Sequence, residues 1–108
     1  MLPSEIVTEL KRLTSELSKG YEALYEAEAE LAQADLDLDT VEQKAFLAAE
    51  GTVADRTALA RLESSQNRFL RDLARARVNR IKTKIRSLES SLTASQSMAR
   101  MVEAEARL

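Results

Sequence analysis

Four cations in the second half of this chain, Arg71, Arg80, Lys84 and Arg86, have no evident neutralising partner. Guanidinium and ammonium groups in such a series bind phosphate oxygens or carboxylates, as point charges or as bidentate forks. They belong to a strongly basic stretch. Ten Lys and Arg lie between Arg56 and Arg86, against only Glu63 and Asp72. One chemistry this predicts is direct, sequence-tolerant nucleic-acid binding, weakening steeply with salt. No aromatic residue lies between Arg71 and Arg86. A base-stacking platform is therefore not expected.

The remaining reactive residue types offer little. The chain has no His and no Cys, so nucleophiles and bases reduce to Ser, Lys, Asp and Glu. The serines Ser87, Ser90, Ser91, Ser95 and Ser97 have no base in view and read as a polar helix face. Asp35, Asp37 and Asp39 alternate with leucines, but a calcium loop would need a Gly and a closing Glu that are missing here. Bundle-type di-metal sites need Glu-x-x-His, and there is no Gly-rich loop to cradle a phosphate. The expectation is a protein that is not an enzyme, with no catalytic or metal residues, no cofactor and no small-molecule substrate.

The elements that position these residues are helices. The 108 residues include two Gly, one Pro and no Trp, and Ala, Leu, Glu, Arg, Lys, Ser and Gln dominate. The only clear punctuation is Gly51-Thr52, with Asp55 three residues on, which forms a capping-box pattern. A second N-cap is expected at Ser4, after Pro3. The expected architecture is all-α: a single helical-hairpin domain over 1–108, with a helix about 5–50, a turn at 51–52 and a helix about 53–106, forming a long antiparallel two-helix coiled coil. No apolar run reaches membrane length and no basic-then-apolar leader opens the chain. A soluble, cytoplasmic protein without membrane contact is expected.

The first arm carries an unbroken heptad. Leu10, Leu17, Leu24, Leu31 and Leu38 hold one core position, and Ile6, Leu13, Gly20, Ala27, Ala34 and Val41 the other. On the second arm Leu59, Leu62, Phe69 and Leu73 follow a heptad. The register then slips to Val78, Ile81, Ile85, Leu88, Leu92, Ala99 and Val102.

Charge divides between the arms. Residues 1–51 hold twelve acids and four bases, and residues 52–108 six acids and twelve bases. Folding about Gly51–Thr52, with paired numbers summing to about 103, sets Glu42 against Arg61, Asp35 against Arg68, Glu28 against Arg75 and Tyr21 against Lys82. These pairs would specify orientation more than stability. In this frame Arg71, Arg80, Lys84 and Arg86 are left over for phosphate or an acidic partner.

A two-helix hairpin buries little apolar surface. The first arm carries more than its seam needs: Tyr21, Tyr25, Ala29, Ala32, Leu36, Phe46 and Leu47 lie off it. They form an expected contact face for a second hairpin, giving a homodimer or larger bundle, or for a protein partner. Met98, Met101, Val102 and Leu108 could pack on residues 2–13 or dock a partner. The functional expectation is an adaptor or assembly protein. The alternatives are direct nucleic-acid binding and a small chaperone or inhibitor docking one protein.

The pattern also resembles small helical-hairpin proteins of actinobacterial tailed phages. The shared elements are the acidic first helix, Ala49-Glu50-Gly51-Thr52 with Arg56, the basic second helix, then Leu92, Ser95, Gln96, Ser97, Arg100, Ala104-Glu105 and Leu108. The resemblance covers most of the chain and implies a host-cell cytoplasmic accessory factor in phage DNA replication or recombination, acting beside single-strand-binding, annealing or recombinase proteins. It carries over no functional residues. Hairpin secretion substrates of the Trp-x-Gly type differ at the turn, which here reads Glu50-Gly51-Thr52.

Overall fold

A computed structural model describes residues 2–108. The described chain is an antiparallel helical hairpin with no strands: α1 (Pro3–Ala48), α2 (Val53–Glu63) and α3 (Ser65–Ala106). Among the described residues no helix is long and apolar enough to cross a membrane.

Helix α1 starts earlier than the Ser4 cap predicts. The backbone N–H groups of Glu5 and Ile6 donate to the Leu2 carbonyl, leaving Pro3 in the first helical position. Its fixed φ and missing N–H cost nothing there. The turn follows the sequence closely. Gly51 has φ +110°, a region open to glycine. Thr52 Oγ1 accepts from the Asp55 N–H at 3.1 Å, and the Thr52 N–H donates to Asp55 Oδ2 at 3.3 Å, completing the capping box.

The second arm is not one helix. It is interrupted at Ser64, whose backbone (φ −91°, ψ 4°) separates α2 from α3. The Ser64 N–H still donates to Ala60 and its carbonyl accepts from Arg68. Side-chain periodicity therefore runs through the interruption.

Packing contacts form two units. In the unit of residues 2–24 and 80–108, Ile6, Leu13, Leu17 and Ile85 are buried, with Leu10, Leu24, Ile81, Leu88, Leu92, Ala99 and Val102 half-buried around them. Both arms here carry the seam expected from sequence. Gly20 permits the close approach: a Cβ at that position would meet Ile85 Cγ1 at 3.1 Å.

In the unit of residues 25–79, α1 again presents its heptad, with Ala27, Leu38 and Ala45 buried. The facing side of α2 and α3 is not the one expected. Ala60, Ser64 and Val78 are buried and Asn67, Arg71 and Ala74 half-buried, while Leu59, Leu62, Phe69 and Leu73 are exposed. Small residues receive the leucine knobs of α1, and the bulkier stripe turns outward. The tight turn fixes which face of α2 meets α1, and that geometry overrides side-chain size.

Candidate interaction surfaces

The ion pairs follow the observed packing and correct the expected charge register. Arg68, not Arg61, reaches Glu42, at 3.3 Å from Nη2 to Oε2. The same nitrogen donates to Ser64 Oγ at 3.2 Å, and Arg68 Nη1 donates to the Arg61 carbonyl at 3.3 Å. Asp35 lies 3.8 Å from Arg71 rather than against Arg68. Glu30 accepts from Arg77, and Tyr21 donates to Glu89 at 3.4 Å instead of meeting Lys82. Paired numbers now sum to 106–110 rather than 103, two helical turns further along the second arm for Glu42. The physical cause is that small residues, not leucines, face α1 here.

Arg71 is accordingly not a free cation. Its Nε donates to Asp72 Oδ1 at 2.9 Å, and its Nη1 faces Asp35. The other three candidate phosphate ligands, Arg80, Lys84 and Arg86, are exposed on α3 and make no ion pair among the described residues. Lys82 is in the same condition. Helical spacing puts Arg80 and Lys84 on one face, and Lys82 and Arg86 on another. The four therefore form two i,i+4 pairs rather than one patch. Lys84 lines an open hollow of about 290 Å³ with Glu16, Lys19, Gly20, Ala23, Ile81 and Ile85.

Of the residues expected to form a contact face on α1, five are exposed together on that helix. Tyr25 (77% exposed), Leu36 (58%) and Leu47 (74%) stand clear of the hairpin with Ala29 and Ala32. Spacings of four and three from Tyr25 to Leu36 set them on one helix face opposite the seam. Phe46 does not belong with them. It is half-buried beneath Arg56, whose guanidinium carbon lies 4.4 Å from the ring centroid. Tyr21 lies in the other packing unit, with its hydroxyl held by Glu89.

A second apolar surface was missed by the sequence reading, which placed Leu59, Leu62, Phe69 and Leu73 inside and did not place Leu70. Leu59, Leu62, Phe69, Leu70 and Leu73 are all exposed, Leu62 at 70% and Phe69 at 57%. The signal that could have found it is the competing small-residue face, Ala60, Ser64, Asn67 and Ala74, which runs at helical spacing on the opposite side. Where the termini meet, Pro3, Ile6, Val7 and Leu10 face Ala99, Val102 and Ala106 across an open apolar groove of about 310 Å³.

Titration chemistry is sparse. Glu9 and Arg12 displace each other. A hydrogen bond from Arg12 lowers the Glu9 carboxyl below its ordinary value, and Glu9 raises the Arg12 guanidinium. Among the described residues no three carboxylates converge as a metal site would require. No protein-family model, curated protein or solved structure matches this chain.

Proposed function

We propose that this protein is a non-enzymatic assembly factor, a helical hairpin that oligomerises and acts by binding a protein partner. One observation carries the reading: the hairpin leaves large apolar side chains exposed on the outer faces of both arms. Tyr25, Leu36 and Leu47 stand out on α1, and Leu59, Leu62, Phe69 and Leu73 on α2 and α3. Burying such side chains is worth about 1.5–3 kcal/mol each relative to exposure, and contiguous apolar surface of this kind marks association sites. The sequence resemblance supports a place in phage DNA replication or recombination, in the cytoplasm of the host cell. Sedimentation equilibrium of the pure protein over a wide concentration range tests the assembly. A mass above the monomer is expected, and a monomer throughout would overturn the reading.

A second reading has its own support. Arg80, Lys82, Lys84 and Arg86 are exposed without ion pairs among the described residues, so sequence-tolerant contact with nucleic-acid phosphates stands beside the adaptor role. Fluorescence anisotropy of labelled single- and double-stranded DNA across a salt series separates the two. Micromolar binding that falls steeply with salt makes DNA the direct ligand. No binding at low salt leaves the protein–protein role.

A further inference from the structure

We infer that the outward face of α1 between Tyr25 and Leu36 docks a basic amphipathic helix of another protein. The inference rests on the reading that this protein acts by binding a protein partner, and specifies the surface and the partner's chemistry.

The face is apolar along its middle. Tyr25 and Leu36 stand eleven residues apart, about three helical turns and about 16 Å. Both are exposed, at 77% and 58%. Ala29 and Ala32 lie between them on the same side and are exposed too. Two small residues between two large ones leave a shallow saddle in which a leucine of a second helix can seat.

Acids line both edges. Glu26 and Asp37 flank the face on one side, and Glu28 and Asp39 on the other, again at eleven-residue spacing. All four are exposed, and none makes an ion pair among the described residues. Arg77 and Arg71 instead reach Glu30 and Asp35, on the side of α1 turned towards α3. No Lys or Arg lies between Lys19 and Lys44. Asp37 accepts a hydrogen bond from the neutral Gln33 amide at 2.8 Å, which leaves its charge in place.

Charge selects the occupant. Four carboxylates around an apolar strip repel phosphate, which disfavours nucleic acid and anionic lipid at this face. They also repel the same face of a second copy, whichever way it runs. The other exposed apolar stripe of a second copy carries Glu63, four residues from Leu59, and Asp72, three from Phe69, so like charge meets it as well. A helix with leucines along one side and Lys or Arg on both flanks satisfies the strip and its edges together.

The test is binding of a labelled helical peptide of about 18 residues to the full-length protein, read by fluorescence anisotropy. The peptide has leucines on one face and lysines on both flanks. One control has glutamates for the lysines, and another has the same residues in scrambled order. Saturable micromolar binding of the lysine peptide is expected, with neither control within tenfold of it. Leu36→Glu should weaken binding at least tenfold, as should Glu26→Lys with Asp39→Lys, one change on each edge. Glu5→Lys with Glu105→Lys, which alters net charge equally outside this face, should leave it within twofold. Circular dichroism checks that each variant stays helical. No binding of the lysine peptide, equal binding of a control, or an equal loss in Glu5→Lys with Glu105→Lys overturns the inference. An oligomer that falls to a monomer in Leu36→Glu overturns it too, because a second copy then occupies the face. The mass of the wild-type protein reads assembly independently. A monomer that binds the peptide overturns assembly alone, and an oligomer that does not bind it overturns this docking site alone.

Discussion

Arg56 grips Phe46 from across the turn. Its guanidinium lies 4.4 Å over the ring, and its Nε and Nη2 both donate to the Phe46 carbonyl, at 3.2 and 3.0 Å. That carbonyl is in the last turn of α1, where backbone acceptors have no partner within the helix and the macrodipole is negative. One side chain thus caps α1, covers an aromatic and fixes the entry of α2. Arg56→Ala should lower stability by about 1–2 kcal/mol, combining a lost cation–π contact with lost charged hydrogen bonds. Arg56→Lys should recover less than half, because an ammonium cannot fork onto the carbonyl while lying flat on the ring. Urea unfolding followed by circular dichroism measures both. Equal stability of all three proteins would show that the turn does not depend on this contact.

Gly20 and Ile85 make a second prediction. At an open helix site Gly→Ala stabilises by about 1 kcal/mol. Here the new Cβ would meet Ile85 Cγ1 at 3.1 Å, and Ile85 is buried. The neighbour has little room to give, so crowding offsets the gain in helix propensity. Gly20→Ala should leave stability unchanged or lower it by up to about 1 kcal/mol. A full gain of about 1 kcal/mol in the unfolding free energy would mean that the helices do not approach this closely.

How much of this was legible in the sequence differs between the arms. The first arm could be read because leucine at every seventh position from Leu10 to Leu38 leaves one candidate seam. The turn could be read because Gly51, Thr52 and Asp55 each have a specific backbone role. The second arm offers two faces at helical spacing. Reading by size selects Leu59, Leu62, Phe69 and Leu73, whereas the hairpin buries Ala60, Ser64 and Val78. The rotation of α2 about its axis as it leaves the turn makes that choice, and no local pattern encodes it. The charge register failed with it, since Arg61 and Arg68 both lie seven residues apart on one stripe and either can serve Glu42. The exposure of Tyr25 and Leu36 on α1 was legible for the opposite reason. Once the seam was right, Tyr25 and Leu36 had to point away, although Phe46, at the edge of that face, was claimed by Arg56.

The response to pH should be confined to acid. No His or Cys is present to titrate between pH 5 and 8, so melting temperature should be flat across that range. The Glu9 carboxyl is lowered from its ordinary 4.5 by the Arg12 hydrogen bond at 2.9 Å. A depressed folded-state value means that the pair contributes stability above about pH 4.5, and that this is lost as pH falls through the folded value. The pair is exposed, so the effect is small and screened by salt. Glu9→Gln should lose a little stability at pH 7 and none at pH 2, as urea midpoints at the two pH values would show. A larger loss at pH 2 than at pH 7 would contradict the sign.

The ion-pair register can be read out by double-mutant cycles. Arg68 contacts Glu42 at 3.3 Å and also bonds the buried Ser64 hydroxyl, so its pair is partly shielded from water. Coupling between Glu42→Ala and Arg68→Ala should be about 0.5–1 kcal/mol, and should exceed that between Asp35→Ala and Arg71→Ala, where the separation is 3.8 Å and Asp72 competes. Glu42 with Arg61, and Asp35 with Arg68, should show no coupling beyond error. The reverse pattern would place the arms in the 103 register. Leu59 and Leu62 would then face α1, and the outward apolar stripe of the second arm would disappear. These cycles therefore test the rotation of the second arm, on which its exposed apolar surface depends.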